Sequence, residues 1–203
     1  SRENFLVGMK MERTQGAEAI VEFKGEYVVK RRISKRYRVR EIDEALRRER
    51  NKIEAKITSD ARKSGVPTPI IFDIDDFEIT MEYIPGKQLK YILNEELSER
   101  IGVLVGRLHS AGIIHGDLTT SNMILSNSKI YFIDFGLAFY SHELEARGVD
   151  VHVLFQTFNS THADYEKLVA SFIKGYKSAF KHAEEVLARV KEIETRGRYI
   201  AVE

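Results

Sequence analysis

A two-lobed α+β fold is what this sequence predicts, on three features: a strand-rich opening, a Pro85-Gly86 breaker and a helix-rich remainder. The boundary that follows puts a first lobe at 1–84, a β-sheet plus one main helix, and a second at 85–203, mostly helical with a basic C-terminal tail.

Each element has its own signal. Residues 5–30 read as β-rich, with alternation in Ala19-Ile20-Val21-Glu22-Phe23, a turn at Gly25 and then Tyr27-Val28-Val29-Lys30. From Ile42 to Ser64, apolar Ile42, Leu46, Ile53 and Ile57 fall near helical spacing, and Gly65 with Pro67 supplies the stop. Two short strands follow, 69–74 and 77–83, joined by Asp75-Asp76. Past the breaker, Leu97–Gly112 carries Ile101, Leu104, Val105 and Leu108 on one helical face. Residues 113–136 are short strands and loops, and 168–193 form one or two helices.

Composition narrows the chemistry. Hydrophobic residues make up 43% of 203, enough for a core, and the net charge of +1 gives no global signal for nucleic acid or membrane. The absence of cysteine excludes disulfides, thiolate metal sites and cysteine nucleophiles. No apolar run approaches 18 residues, so no membrane partner and a cytoplasmic location are expected. Ser1 in place of Met fits either a processed start or a domain of a longer chain.

The chemistry-bearing segment is His115-Gly116-Asp117-Leu118-Thr119-Thr120-Ser121-Asn122, between two apolar strands, and twelve residues past Asn122 stands Asp134 in Ile133-Asp134-Phe135-Gly136. Transfer of a phosphoryl group from ATP needs cations and fixed metal ligands more than covalent chemistry. Asn122 and Asp134 are hard oxygen donors suited to Mg²⁺, and Asp117 can orient a hydroxyl and accept its proton. In order and at this spacing, the two motifs resemble the catalytic loop and metal loop of protein kinases.

That resemblance extends upstream. Lys30, after Val28-Val29, matches the strand lysine that meets ATP phosphates, and Glu54 the helix glutamate that holds it, with Glu49 as rival; flanking Ile53 and Ile57 point Glu54 inward. Gly16-Ala17-Glu18-Ala19 stands where a glycine-rich loop would cover the phosphates, with one glycine rather than three. Met81-Glu82-Tyr83-Ile84-Pro85-Gly86 would be the hinge, with backbone groups of Glu82 and Ile84 meeting adenine. Departures are informative too. Gly116 replaces the arginine that pairs with a phosphorylated activation loop, and Asp150 comes only fourteen positions after Gly136, leaving no room for such a loop. Asp150 reads as a buried helix carboxylate bracing the catalytic loop. Just 67 residues follow Gly136, too few for the usual peptide-substrate platform.

Two basic features remain. Lys30 to Lys52 holds eleven Lys or Arg against four acids, and Arg196 and Arg198 lie near the end. They read as a solvated face and a frayed tail, or as a footprint for RNA phosphates with Tyr37 or Tyr199 stacking on a base.

Over nearly its whole length the chain resembles the small atypical kinase of the KEOPS complex, called PRPK in animals. The resemblance rests on Gly16–Ala19, Arg50…Glu54-Ala55, His115–Met123, Asp134–Leu137, Val149–Val151, Ser160-Thr161-His162 and the arginine-containing end. It implies partnership with the KEOPS threonylcarbamoyl-transfer subunit and its companions, which make threonylcarbamoyl-adenosine in tRNA. It also implies ATP hydrolysis there with ATP and Mg²⁺ as cofactors, and Ser/Thr autophosphorylation in isolation. The rival readings are a small-molecule phosphotransferase of aminoglycoside or choline kinase type, and a non-catalytic scaffold for partner protein and tRNA. RIO kinases are close as well, but Phe135-Gly136 argues against their usual metal loop.

Overall fold

The structure is a computed structural model that describes residues 13–15, 19–35 and 37–200, with side chains from 19 to 197 apart from Arg36. Its elements run β1 Arg13–Gln15, β2 Ala19–Lys24, β3 Tyr27–Arg32, α1 Arg40–Lys63, β4 Ile71–Ile74, β5 Glu78–Glu82, β6 Lys87–Gln88, α2 Glu95–Ser110, β7 Ile113–Ile114, β8 Met123–Ser126, β9 Lys129–Phe132, β10 Phe139–Tyr140, α3 Leu144–Thr161, α4 Tyr165–Ala179 and α5 Ala183–Ile200. They divide into two compact units, 1–55 with 69–83, and 56–68 with 84–203. The last two turns of α1 therefore group with the second unit rather than the first. This α+β arrangement is the class that the sequence predicts.

In the first unit, an antiparallel sheet is ordered β1-β2-β3-β5-β4, and β2 and β3 meet in a tight hairpin with Lys24 opposite Tyr27. Strand alternation puts Val28, Lys30 and Arg32 on the buried face of β3. The first turns of α1 do not bury the apolar stripe that the periodicity suggests. Ile42 and Leu46 are 57% and 40% exposed, while Asp43, Asn51 and Glu54 are buried. The physical reason is charge: the facing strand presents Arg32 and Lys30, so the helix turns its carboxylates and amide inward. Arg32 Nε donates to Asn51 Oδ1 at 3.0 Å, and Asn51 Nδ2 donates to the carbonyls of Asp75 and Asp76, holding the β4–β5 turn. Burial works to raise the Asp43 carboxyl, but hydrogen bonds from the Lys35 amide and Ser34 and the Arg47 guanidinium hold it below its ordinary value.

The second unit is built on helices that approach closely. On α2, a Cβ at Gly102 would stand 2.2 Å from the Phe172 carbonyl; on α4, one at Gly175 would stand 1.9 Å from that of Glu99. Only glycine lets the two backbones meet there. Ser98 Oγ adds a 2.6 Å bond to the Leu168 carbonyl. Phe155, Phe172, Tyr176 and Phe180 form an aromatic row with neighbouring ring centroids 5.3–5.5 Å apart, and burying such rings supplies much of a core's stability. Of the one or two helices expected over 168–193, the structure has two, α4 and α5, divided at Phe180. The expected tail is helical through Ile200.

Candidate active site

The catalytic segment is pinned from below. Asp150, in the second turn of α3 and 2% exposed, accepts from the backbone N–H of His115 at 2.9 Å and of Gly116 at 3.0 Å. His109 Nε2 lies 3.3 Å from the same carboxylate, and its Nδ1 lies 2.7 Å from the Tyr176 hydroxyl. One tautomer satisfies both bonds: Nε2–H donates to Asp150 and Nδ1 accepts from Tyr176. Burial pushes the Asp150 carboxyl up, but the hydrogen bond from His109, the favourable electrostatics of the two imidazoles and the His115 amide outweigh that and leave it below its ordinary value.

His115 binds the two loops together. Its Nε2 lies 3.1 Å from the Ile133 carbonyl, its Nδ1 accepts from the Asp117 amide at 3.3 Å, and its ring packs on Phe135 at 4.8 Å. Gly116 has φ +80°, and a Cβ there would lie 2.3 Å from the Leu137 carbonyl. The position taken by arginine in regulated kinases therefore has no room for a side chain in this packing.

The predicted base and metal ligand touch each other. Asn122, ending a 3₁₀ turn over Thr120–Asn122, donates from Nδ2 to the Asp117 carboxylate at 2.9 Å and to the Asp117 carbonyl at 3.0 Å. The amide nitrogen is thus committed, and the donor Asn122 can offer is Oδ1, the atom type Mg²⁺ selects. The Asn122 carbonyl accepts from the Ile133 amide at 2.9 Å, which sets Asp134 one residue further on. Asp134 is exposed with φ +60°, a left-handed conformation that costs roughly 1–2 kcal/mol outside glycine. Its Oδ1 accepts from the Gly136 amide at 3.2 Å. Strain held at a carboxylate between two ordered segments is typical of functional positions. Two amide or carboxylate oxygens fit a hard divalent cation, though the described residues contain no cluster of three or more His, Cys, Asp or Glu side chains.

In the first unit, Lys30 Nζ donates to Glu54 Oε1 at 2.7 Å, both groups being buried. Glu49 is exposed. Sequence reasoning missed Arg32, whose Nη2 donates to Glu54 Oε2 at 2.6 Å, so that one carboxylate serves two cations. The signal was there: Lys30 and Arg32 are two apart on one strand and share a face. Met81 and Glu82 lie in β5, where the Glu82 amide donates to the Ile70 carbonyl at 2.8 Å; Ile84 is buried in the second unit. Ala19 opens β2 opposite Arg32. Gly16, Ala17 and Glu18 lie outside the described residues.

Also unanticipated is Tyr140, whose hydroxyl donates to Asp60 at 2.6 Å. Arg196 is not a loose cation. It donates to Glu145 Oε1 at 2.8 Å while Arg189 takes Oε2 at 3.0 Å, and these bonds, that of Arg196 foremost, hold the Glu145 carboxyl low against its partial burial. The side chains of Arg198 and Tyr199 lie outside the described residues.

A buried helix aspartate under a His-Gly-Asp loop, an Asp–Asn pair and a left-handed Asp-Phe-Gly aspartate define a protein-kinase-like phosphotransferase architecture. A RIO domain model matches residues 9–172, and the chain belongs to that atypical kinase family. The Phe135-Gly136 pair, which argued against RIO kinases, is a departure accommodated within the wider family. The chain is 56% identical over 189 residues to a probable bifunctional tRNA threonylcarbamoyladenosine biosynthesis protein of Methanosarcina mazei, covering 91% of this chain and 35% of that one. It thus spans about a third of that relative's length. It is 50% identical to a probable serine/threonine-protein kinase BUD32 homolog of Archaeoglobus fulgidus, over 91% of this chain and 94% of that one. To the KEOPS complex subunit Bud32 of Pyrococcus abyssi it is 44% identical, again over 91% and 94%. The fold is similar to the Rio2 kinase from Chaetomium thermophilum solved as an ADP/Mg²⁺-phosphoaspartate complex, with TM-score 0.63 and 17% identity over 91% of this chain and 70% of that one. No helix among the described residues is long and apolar enough to cross a membrane.

Proposed function

We propose that this chain is a Mg²⁺- and ATP-dependent atypical kinase and ATPase that works within a KEOPS-type assembly making threonylcarbamoyl-adenosine in tRNA, beside the threonylcarbamoyl-transfer subunit. The observation that carries the chemical half is the 2.9 Å bond from Asn122 to the Asp117 carboxylate. In this reading that bond orients the proton acceptor and a metal ligand together. The biological half rests on relatives at 44–56% identity whose names place them in that pathway.

In this reading Lys30, held by Glu54, takes phosphate oxygens, and Asn122 and Asp134 hold Mg²⁺. Gly16–Ala19 cover the phosphates, and backbone groups of Glu82 and Ile84, beside Met81, meet adenine. The bound cation would neutralise charge on the phosphates. Asp117 orients the acceptor hydroxyl and takes its proton as oxygen attacks the γ-phosphorus and the bond to the β-phosphate oxygen breaks, releasing ADP. The acceptor is water in the assembly and a Ser or Thr hydroxyl when the chain acts alone.

The test is γ-phosphate release by wild type, Asp117→Asn and Asp134→Ala, with and without partner subunit and tRNA. Each variant is expected to lose on the order of 10²-fold or more in turnover. Asp134→Ala should also weaken Mg·ATP binding, and Asp117→Asn should largely spare it. Turnover within threefold of wild type in Asp117→Asn overturns the base assignment, and a wild-type rate indifferent to partner and tRNA overturns the assembly reading.

A further inference from the structure

Most arginines with described side chains pair with an acid. Arg31 pairs with Glu78, Arg40 with Glu44, Arg47 with Asp43, Arg48 with Asp76, and Arg189 and Arg196 with Glu145. With 32 basic and 31 acidic residues overall, a place where cations gather without carboxylates stands out against that background. One lies in the second unit, lined by none of the residues given a catalytic or binding role above. A cavity of about 560 Å³ is walled by Arg62 from the end of α1, Arg100 and Arg107 from α2, and Lys129 and Tyr131 from β9, with Pro67 completing an apolar side.

The three guanidinium groups are positioned by backbone, not by acids. Arg62 Nη1 donates to the Thr68 carbonyl at 2.8 Å, Arg107 Nη1 to the Gly65 carbonyl at 2.8 Å, and Arg100 Nη2 to the Ser128 carbonyl. Each bond fixes one nitrogen of the fork and leaves others able to donate. Among the described residues, the carboxylate that pairs with one of them is Glu96, 3.9 Å from Arg100 and 80% exposed, a rim interaction worth little. Four like charges on one concave surface raise the local potential and concentrate anions.

We infer that this cavity binds a nucleotide phosphate. Anchored guanidinium forks match the oxygens of a phosphoryl group in pairs, which a lone carboxylate exploits less fully. The volume exceeds what one inorganic phosphate fills and lies in the range of small-ligand sites. The half-buried Tyr131 ring and Pro67 offer a base or sugar an apolar wall beside the charges. The ligand is therefore a phosphate ester carrying a nucleobase, free or within a single-stranded oligonucleotide. This inference does not rest on the kinase reading.

The experiment is fluorescence anisotropy of the full chain with a short 5′-labelled oligouridylate across a salt series, with uridine monophosphate and pyrophosphate as unlabelled competitors. Arg100→Gln with Lys129→Gln should weaken the oligouridylate about tenfold at low salt. It should flatten the slope of log affinity against log salt by about 1.4, at roughly 0.7 for each phosphate no longer neutralised. Lys129→Gln alone, at an exposed side chain, should flatten it by about 0.7 and serves if the double variant unfolds. Competition by the monophosphate assigns the site to a free nucleotide; competition by neither small ligand assigns it to a strand. Absence of wild-type binding, or an equal loss in Lys174→Gln on helix α4, which does not line the cavity, overturns the inference.

Discussion

Asp150 and Gly116, 34 residues apart, are joined by a 3.0 Å hydrogen bond from the glycine amide to a carboxylate that also takes the His115 amide. The catalytic segment is thus shaped from the core of the second unit rather than by its own sequence. Asp150→Ala removes an acceptor shared by two buried amides and His109, and the expected cost is about 3–5 kcal/mol of stability. The acid limb has a definite sign. The folded-state carboxyl lies below its ordinary 3.8, so its contribution is complete above that value and is lost as pH falls through the lower, folded one. Urea unfolding from pH 7 down to pH 2 should show a steeper acid loss in wild type than in Asp150→Asn. Parallel curves would remove Asp150 as the acid-sensitive brace.

Gly116 has a second constraint. With φ at +80° and a carbonyl 2.3 Å from where a Cβ would sit, Gly116→Ala combines left-handed strain with a backbone clash. A loss of more than about 2 kcal/mol is expected, from strain plus overpacking. The same geometry says that no arginine at this position reads a phosphate on the following loop. Phosphatase-treated protein should keep its rate of ATP turnover. A large loss, restored by phosphate on Ser141, would show that another group reads that loop.

The sheet-then-helix order was legible in the sequence, and residue type and spacing were enough to single out Lys30, Glu54, Asp117 and Asn122, which the structure joins as Lys30–Glu54 and Asn122–Asp117 pairs. What stayed hidden is how residues distant in sequence share partners. Glu54 could be paired with Lys30 by the kinase pattern and its flanking Ile53 and Ile57, but that pattern does not announce that Arg32 takes its other oxygen. Ile42 and Leu46 had helical periodicity and yet face solvent, because buried cations on β3 outweigh two apolar side chains in deciding which face α1 turns inward. Strand 3's alternation held the clue; helix periodicity alone could not weigh it.

Tyr140 and Asp60 make an alkaline prediction. Burial first, then the hydrogen bond and charge of Asp60, push the Tyr140 phenol from 10.0 up to about 12. A raised folded-state value stabilises fully below pH 10 and is lost as pH rises through about 12. Because Tyr140 is 47% exposed, the bond's worth is discounted to about 1 kcal/mol. Phenolate absorbance should show a step near pH 12 that vanishes in Tyr140→Phe and moves toward 10 in Asp60→Asn. An Asp60→Asn titration that matches wild type would mean the pair contributes nothing to the shift.

Glu145 gives the proposed RNA-binding role of Arg196 and Arg198 a direct test. Arg196 and Arg189 each donate to one oxygen of that carboxylate, so the acid neutralises cations that the RNA reading needs for phosphates. If Arg196 does meet tRNA, Glu145→Gln should strengthen binding and steepen its salt dependence, by up to about 0.7–0.9 log units per log unit of salt for one further phosphate neutralised. Arg196→Ala with Arg198→Ala should do the reverse, flattening the slope by the equivalent of one to two phosphates. Neither change should move the thermal midpoint far, since the Arg196 pair is largely exposed. Anisotropy with labelled tRNA and the partner subunit present measures both slopes on one scale. Equal affinity and slope in wild type, Glu145→Gln and the double arginine variant would make the Glu145 cluster a helix clamp between α3 and α5, and would leave the basic stretch after Lys30 and the cavity of Arg62, Arg100 and Arg107 as the candidate footprints.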